Sequence, residues 1–392
     1  KVIPANSFMF RNKVINGGMK ISQRGTSFSF AHDGTLDAYT LDRFQVRSSG
    51  IDNYDGQVTQ YSMSAAERNT TGHSKAFKLV TGTPQNTIAN NTAFRVEYRA
   101  EAQDLQDLQY GTASAKTTTL SFWVKSSVTG TYAVNLHKNV ATARQINKTY
   151  TINTADTWEK KIISIVGDTD STGSINDDNG EGLRILWAIA TGSAYNSSSS
   201  ATWTNYASGN FLGGHVQNGV LTTGSANWYL TGVQLEIGSS ATPFEHRPIG
   251  MELSLCQRYF QSIQMQGLFV FPYYSTLAFV RAPLMVSLRE RTSISLSKTA
   301  KIIRLTTPGV LDYHINGSGS GIFNAGGDWG ANLYLDNSLN RDGSVSSLAL
   351  RINKSGSGSF PDQEPLVITG IVNSSNDNYD DNGGYFDVEC EL

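Results

Sequence analysis

The chain has 392 residues, 39% of them hydrophobic and only 16% charged, with a net charge of −2. That length suits two domains. The shortage of charge, made up by Gly, Ser, Thr and Asn, argues for turns and polar strand faces, hence all-β structure and not helices with charged outer faces. The near-neutral balance offers no basic surface that could release counterions, so nucleic acid is excluded as a partner. Membrane insertion is excluded too: the most apolar window, 268–280, is interrupted by Pro272, Tyr273 and Tyr274. Cys256 and Cys390 read as two buried thiols and not as a disulfide framework. No signal peptide is legible, and a start at Lys1 in place of Met implies that an initial segment has been lost or trimmed.

Residues 1–18 read as an extended arm. Val2, Ile3, Phe8, Met9, Phe10, Val14 and Ile15 make it too apolar for solvent, so it is expected to pack on a neighbouring molecule. A first domain is expected at 19–248, a sandwich opening on a strand at 19–24. Further strands are expected at 57–63, 75–80, 93–99, 118–125, 131–138, 145–153, 158–166, 183–190 and 227–237. The alternation is cleanest in TTTLSFWVKSS, where Leu120, Phe122 and Val124 face one way and Ser121, Trp123 and Lys125 the other. The spacing of Ala102, Leu105 and Leu108 predicts a short helix within 96–111. Two long polar loops, 167–182 and 193–219, interrupt the strands; loops of that length usually carry function or are disordered. Residues 249–258 form a short helical linker, since Met251, Leu255 and Cys256 share a helical face. Pro243 and Pro248 argue that it is rigid, with Pro243, Phe244 and Leu255 buried between the domains. A smaller β-sandwich or knob is expected at 259–392, with strands near 275–281, 284–289, 293–297, 301–306, 347–353, 365–372 and 384–391.

The chemistry is sparse. The histidines are scattered, with no HExxH, and there is no GxSxG, P-loop or GxGxxG before a helix. GSGSG at 317–321 is a flexible turn. The acidic pairs Asp177–Asp178, Glu236–Glu245 and Asp380–Asp381 could in principle flank a glycosidic bond. Adjacent acids in Asn/Gly loops are more often solvated turns or sites for a hard cation, and Asp177, Asp178, Asp380 and Asp381 are the candidates for calcium. Neither loop has EF-hand spacing. Sugar binding calls for aromatic platforms beside amides and carboxylates. The loop with Tyr195, Trp203 and Tyr206 has that composition, as does the C-terminal region with Tyr273, Tyr274, Trp329, Tyr334 and Tyr379. The alternative is that these aromatics pin their own loops, while Trp123, Trp158, Trp187 and Trp228 are core.

One stretch goes further. LTGVQLEIGSSATPFEHRPIGMELSLCQRYF (230–260) resembles a recurring signature of bacteriophage tail-fibre and related virion appendage proteins. NGGMKISQRG followed by YTLDRFQV, and EAQDL before SFWVKS, are similar to the same family. The resemblance implies a carbohydrate-binding-module-like jelly roll with a C-terminal knob, in a homotrimer. It implies localisation in the virion, assembled in the host cytoplasm, with other virion proteins met through the arm and host surface polysaccharide as target. It also implies that a structural calcium can occur, while no cofactor is required. Tail-fibre attachment without catalysis is the leading expectation. A capsid head fibre or decoration protein is the second, and a tailspike depolymerase the third.

Overall fold

The computed structural model describes residues 10–262, with backbone alone at 32–34 and nothing at 141 and 198–199; beyond residue 262 it describes the backbone of the strands. The chain divides after Cys256 into two compact units.

The first unit contains β1 (Ser27–Tyr39), β2 (Phe44–Ser62), β3 (Lys75–Thr81), β4 (Ala93–Glu101), β5 (Thr118–Ser126), β6 (Gly130–Lys138), β7 (Arg144–Ile152), β8 (Glu159–Ile165), β9 (Glu181–Thr191), β10 (Thr204–Asn205) and β11 (Asn227–Ile237). They pair in the order β10-β7-β6-β9-β4-β2-β3-β11-β5-β8, with β1 on β2. β2 makes this path a sandwich. Its first half, Phe44–Ser49, pairs with β4, and its second half, Gly56–Ser62, pairs with β3. Between the halves Gly50 and Asn53 take positive φ, 59° and 53°, and the strand passes from one layer to the other. The enclosed core is continuous. Phe94, Val96 and Tyr98 of β4, Ile185 and Trp187 of β9, Val134 and Leu136 of β6 and Phe122 and Val124 of β5 all belong to it. The all-β sandwich is therefore as expected, and it follows from alternation that turns one apolar face of strands such as β4 and β5 to the core; β9 is apolar on both faces, its Leu186 and Ala188 packing with Ala93 and Leu212 in a second cluster.

Three local expectations change. Residues 19–24 form no strand. Asn16 and Met19 take positive φ, 58° and 56°, and side chains satisfy the backbone instead. Asn16 bonds the Ile21 amide and carbonyl at 2.9 and 2.8 Å, and Asp42 accepts the Gln23 amide at 2.7 Å. The helix expected within 96–111 shrinks to a tight 3₁₀ segment, Ala102–Leu108, which buries Leu105 and Leu108. A capped helix, Ala65–Thr71, appears where none was expected, with Ser64 and Glu67 forming its capping box.

The N-terminal arm is the largest correction. From residue 10 onward it packs on its own chain, and residues 1–9 lie outside the described residues. β3 pairs with β11 only over Asn227–Leu230, so the rest of that edge is open, and the arm fills it. Lys13 N donates to Leu235 O at 2.8 Å and Val233 N to Gly17 O at 2.9 Å. The Asn12 side chain bridges Val233 O and Leu235 N at 3.1 and 3.0 Å. Val14 is fully buried, which accounts for its apolar character without a second molecule. The residues after β11 then clamp the arm from outside. The Glu245 carboxylate accepts the Phe10 and Asn12 amides, Glu252 accepts the Asn16 amide, and Arg247 donates to the Val14 and Asn12 carbonyls. A Cβ at Gly17 would run into the Val233 carbonyl, so the arm can lie this close only with glycine there.

Within the expected linker, the helix Ile249–Gln257 forms. Pro243 is exposed, against expectation; Phe244 and Leu255 are half-buried. The Phe244 ring rests on His73 and His246 at 4.6 and 4.9 Å, because the Thr242–Glu245 turn is drawn back to β11 by Glu236 and Gln234. Glu245→Ala should leave two amides of the arm without acceptors and cost about 1–3 kcal/mol. A urea titration of the variant checks this, and an unchanged midpoint would mean that the clamp contributes nothing.

Among the described residues, the second unit, Gln257–Glu391, holds two antiparallel sheets. The smaller sheet runs Phe260–Gln264, Tyr385–Glu389, Ser293–Leu296 in that order, and the larger has eight strands. The strands expected at 275–281 and 284–289 are one strand, Leu277–Leu288.

Candidate functional site

Alternation sends one set of residues on each strand into the core and the next set to the opposite face. On β4, with Phe94, Val96 and Tyr98 inward, Arg95, Glu97 and Arg99 take that opposite face. The register sets them beside charged residues of neighbouring strands: Arg47 of β2 opposes Arg95, Arg184 of β9 opposes Arg99, and His137 of β6 opposes Arg184. Like charges side by side across a ladder are unfavourable, and two carboxylates resolve the conflict. Glu97, fully buried, sits 2.6 Å from Arg95, 3.1 Å from Arg99, 3.7 Å from Arg184 and 3.8 Å from Arg47. Burial alone would raise its pKa, but the guanidinium groups of Arg95, Arg184, Arg99 and Arg47 outweigh this and hold it down to about 2. Glu181 grips Arg184 in a fork at 3.0 and 2.8 Å.

Over this charged face the loop after β9 folds back, and the sheet's own amides hold it. The Asn135 side chain and the His137 ring both meet Phe211 O at 3.1 Å, and Asn147 donates to Asn210 O at 3.0 Å. Two side chains on the loop's own arm, Tyr195 and Phe211, pack at 4.9 Å. The Phe211 ring lies 5.1 Å from the Arg95 guanidinium carbon, and the Tyr206 ring lies 5.4 Å from that of His137.

Loop and sheet together leave a cavity of about 370 Å³ lined by Arg95, His137, Glu181, Arg184, Tyr206 and Phe211, among others. That lies in the range of small-ligand sites, roughly 300–1,000 Å³. Tyr206 is 43% exposed and lines the cavity. His137 is held neutral: burial, then the Arg184 charge, bring its pKa down to about 3. On Arg95 only Nε is engaged by a carboxylate, at Glu97. Among the described residues its terminal amino groups have no hydrogen-bond acceptor, although Arg95 is 9% exposed.

The residues picked out from sequence fall into different places. Tyr206 lines the cavity and Tyr195 supports it from behind. Trp203 is not a platform. It is buried, donates to Val166 O at 2.7 Å, and packs 5.7 Å from Tyr110 and 5.5 Å from the Lys138 ammonium. Beneath it a buried Asp168 joins Lys138 and Arg144 at 2.6 and 2.8 Å, so this acid of the 167–182 loop pins structure. Trp187 and Trp228 are fully buried and Trp158 is nearly so, as core residues should be; Trp123 is half-buried. Asp177 and Asp178 are exposed, and Asp178 closes a turn on the Gly180 amide at 2.9 Å. Among the described residues no three His, Cys, Asp or Glu side chains gather as a metal site would require. Glu236 and Glu245 are engaged by Thr242 and by the arm amides, not poised across a sugar. The side chains of Tyr273, Tyr274, Trp329, Tyr334, Tyr379, Asp380 and Asp381, and Cys390, lie outside the described residues, and Cys256 is buried.

Arg95, Glu97, Glu181 and Arg184 were not anticipated. The available signal was RVEYRAE, where charges recur with period two on the phase opposite to Phe94, Val96 and Tyr98.

No protein-family model matches the chain, and no curated protein matches it. Among solved structures it is similar to the enzymatically active domain of bacteriophage CBA120 tailspike protein 4, with TM-score 0.27 and 10% identity over 58% of this chain. The match spans 22% of that domain. It is also similar to the family 11 carbohydrate-binding module of Clostridium thermocellum in complex with a β-1,3-1,4-mixed-linked tetrasaccharide, with TM-score 0.26 and 10% identity over 54% of this chain and 97% of that one. A third similarity is to the CBM22-1–CBM22-2 tandem of Paenibacillus barcinonensis Xyn10C, with TM-score 0.26 and 9% identity over 97% and 98% of the two chains.

Proposed function

We propose that the first unit is a glycan-binding module of a bacteriophage virion appendage, which attaches the particle to host surface polysaccharide without cleaving it. The observation that carries binding is the cavity between the charged face of β4, β9 and β6 and the loop bearing Tyr206. An exposed aromatic ring beside fixed guanidinium and carboxylate groups can stack on a sugar ring and orient its hydroxyls. The assignment to a virion appendage rests on the likeness of residues 230–260 to that family's signature. The attachment role is favoured over depolymerisation because the cavity's carboxylate, Glu181, is locked against Arg184, and the neighbouring buried Glu97 is locked against Arg95. A general acid needs a raised pKa, and the Glu97 carboxyl is held at about 2.

A glycan array probed with the whole chain should retain a defined set of host-surface oligosaccharides. Tyr206→Ala should weaken the best of them about tenfold, roughly 1.4 kcal/mol, with no change in thermal midpoint, since the ring is largely outside the core. Release of reducing ends from bound polysaccharide should stay at background. Absence of any retained glycan would overturn the proposal, and an unaffected Tyr206→Ala would move the site elsewhere.

A further inference from the structure

The cavity has an excess of hydrogen-bond donors, and this narrows its ligand. Its wall carries Arg95 and Arg184, with Glu181 as counter-charge; Glu97 lies outside the lining, against Arg95. Both carboxylates are already engaged: Glu181 by the Nε and Nη2 groups of Arg184, Glu97 by Arg95 Nε and Arg99 Nη2. The Lys138 ammonium on the same wall is turned to Asp168 and the Gly173 carbonyl. His137 contacts the Phe211 carbonyl through Nε2. What remains for a ligand is the pair of terminal amino groups of Arg95, the remaining Nη1 of Arg184, the Asn139 amide and the Tyr206 ring and hydroxyl, a set whose only charged members are guanidinium groups. A neutral sugar would offer these donors hydroxyls alone, which are poor matches for a planar guanidinium fork. A carboxylate matches that fork in shape and charge, and its hydrogen bonds are the stronger charge-assisted kind.

Resting on the glycan-binding reading above, we infer that the cavity selects an acidic sugar residue, a uronate or another carboxylated sugar, whose carboxylate docks on the Arg95 terminal amino groups while its ring packs on Tyr206. The Phe211 ring against the guanidinium keeps Arg95 from rotating away, and Glu97 fixes its other edge. The fork is thus held in position before the ligand arrives, which lowers the ordering cost of binding.

The test uses the unmodified chain and paired ligands: oligogalacturonate, hyaluronan tetrasaccharide and sialyllactose, each as the acid and as its methyl ester. The ester keeps the sugar and removes the charge. Calorimetric titration should show at least one acid binding ten times or more tighter than its ester, and that advantage should shrink as salt is raised. Arg95→Lys, which keeps the charge and loses the fork, should lower affinity for that acid about tenfold and the ester's affinity by much less, so that the acid's advantage over its ester shrinks. If every ester binds as well as its acid, or if only neutral glycans are retained, the acid-selective reading is overturned while glycan binding stands. If no glycan of either kind binds, both readings fall together. The ester comparison needs no variant, so a poorly folding Arg95→Lys would not obscure the result.

Discussion

Glu97→Ala should destabilise the first unit by about 3–5 kcal/mol, among the larger losses a single substitution can cause. The glutamate is fully buried, with Arg95 and Arg99 in direct contact and Arg184 and Arg47 within 4 Å. Removing it leaves Arg95 buried with no carboxylate on its Nε and brings like charges on β2, β4 and β9 into unrelieved opposition. Glu97→Gln should cost less, since an amide oxygen can still accept from Arg95. Urea unfolding of the two variants beside the parent measures both effects. A loss under about 1 kcal/mol for the alanine variant would mean that the guanidinium groups escape to water once the acid is gone.

The second large effect is a loss of stability between pH 6.5 and 4.5. His73, His137 and His215 are 2%, 6% and 0% exposed, and burial holds their pKa values down to about 4, 3 and 4. Each is neutral in the folded chain, whereas in the unfolded chain each takes up a proton near pH 6.5. Below 6.5 the unfolded state therefore binds protons that the folded state refuses, and stability falls with pH until the folded values are reached. At pH 5 the loss is roughly 2 kcal/mol for each histidine, and it is absent above about pH 7.5. Carboxylates with depressed values, Glu97 among them at about 2, contribute stability above about pH 4.5 and lose it only below that, so the loss between pH 6.5 and 4.5 belongs to the histidines and the two effects overlap only at lower pH. Urea unfolding at pH 7.5 and pH 5 checks the sum. His215→Gln should flatten the slope by about a third of that sum, and equal stability at both pH values would show that the rings charge freely within the fold.

Much of the sandwich was legible because its strands are one-faced. Leu120, Phe122 and Val124 alternate with polar residues, and the structure buries them as the period requires. Residues 93–111 were harder. RVEYRAEAQDLQDL satisfies a strand period in its first half and a helical one in its second. The strand extends to Glu101 because β9 takes its backbone that far, while β2 pairs with it only as far as Tyr98, a long-range fact that no local spacing carries. The candidate site was legible only in Tyr206. Composition can mark an aromatic loop but cannot say which ring turns inward. Trp203 does so because β10 pairs with β7 immediately after it. The arginines were hidden for a related reason: Arg95 and Arg184 come together through strand register, and sequence spacing does not record register. The apolar arm was misread because an open strand edge is invisible until the sheet order is known.

The same arm bears on how this unit would carry a mechanical load. Its chain enters near Phe10 and leaves after the helix Ile249–Gln257, and Glu245 and Glu252 join those two ends directly. Tension drawn between entry and exit therefore runs first through a short circuit of side-chain-to-amide bonds and only afterwards into the strands. Pulled by its ends, the unit should yield by peeling the arm from the edge of β11, and the face that holds the cavity, built on β4, β6 and β9, stays outside the line of force until that peeling is complete.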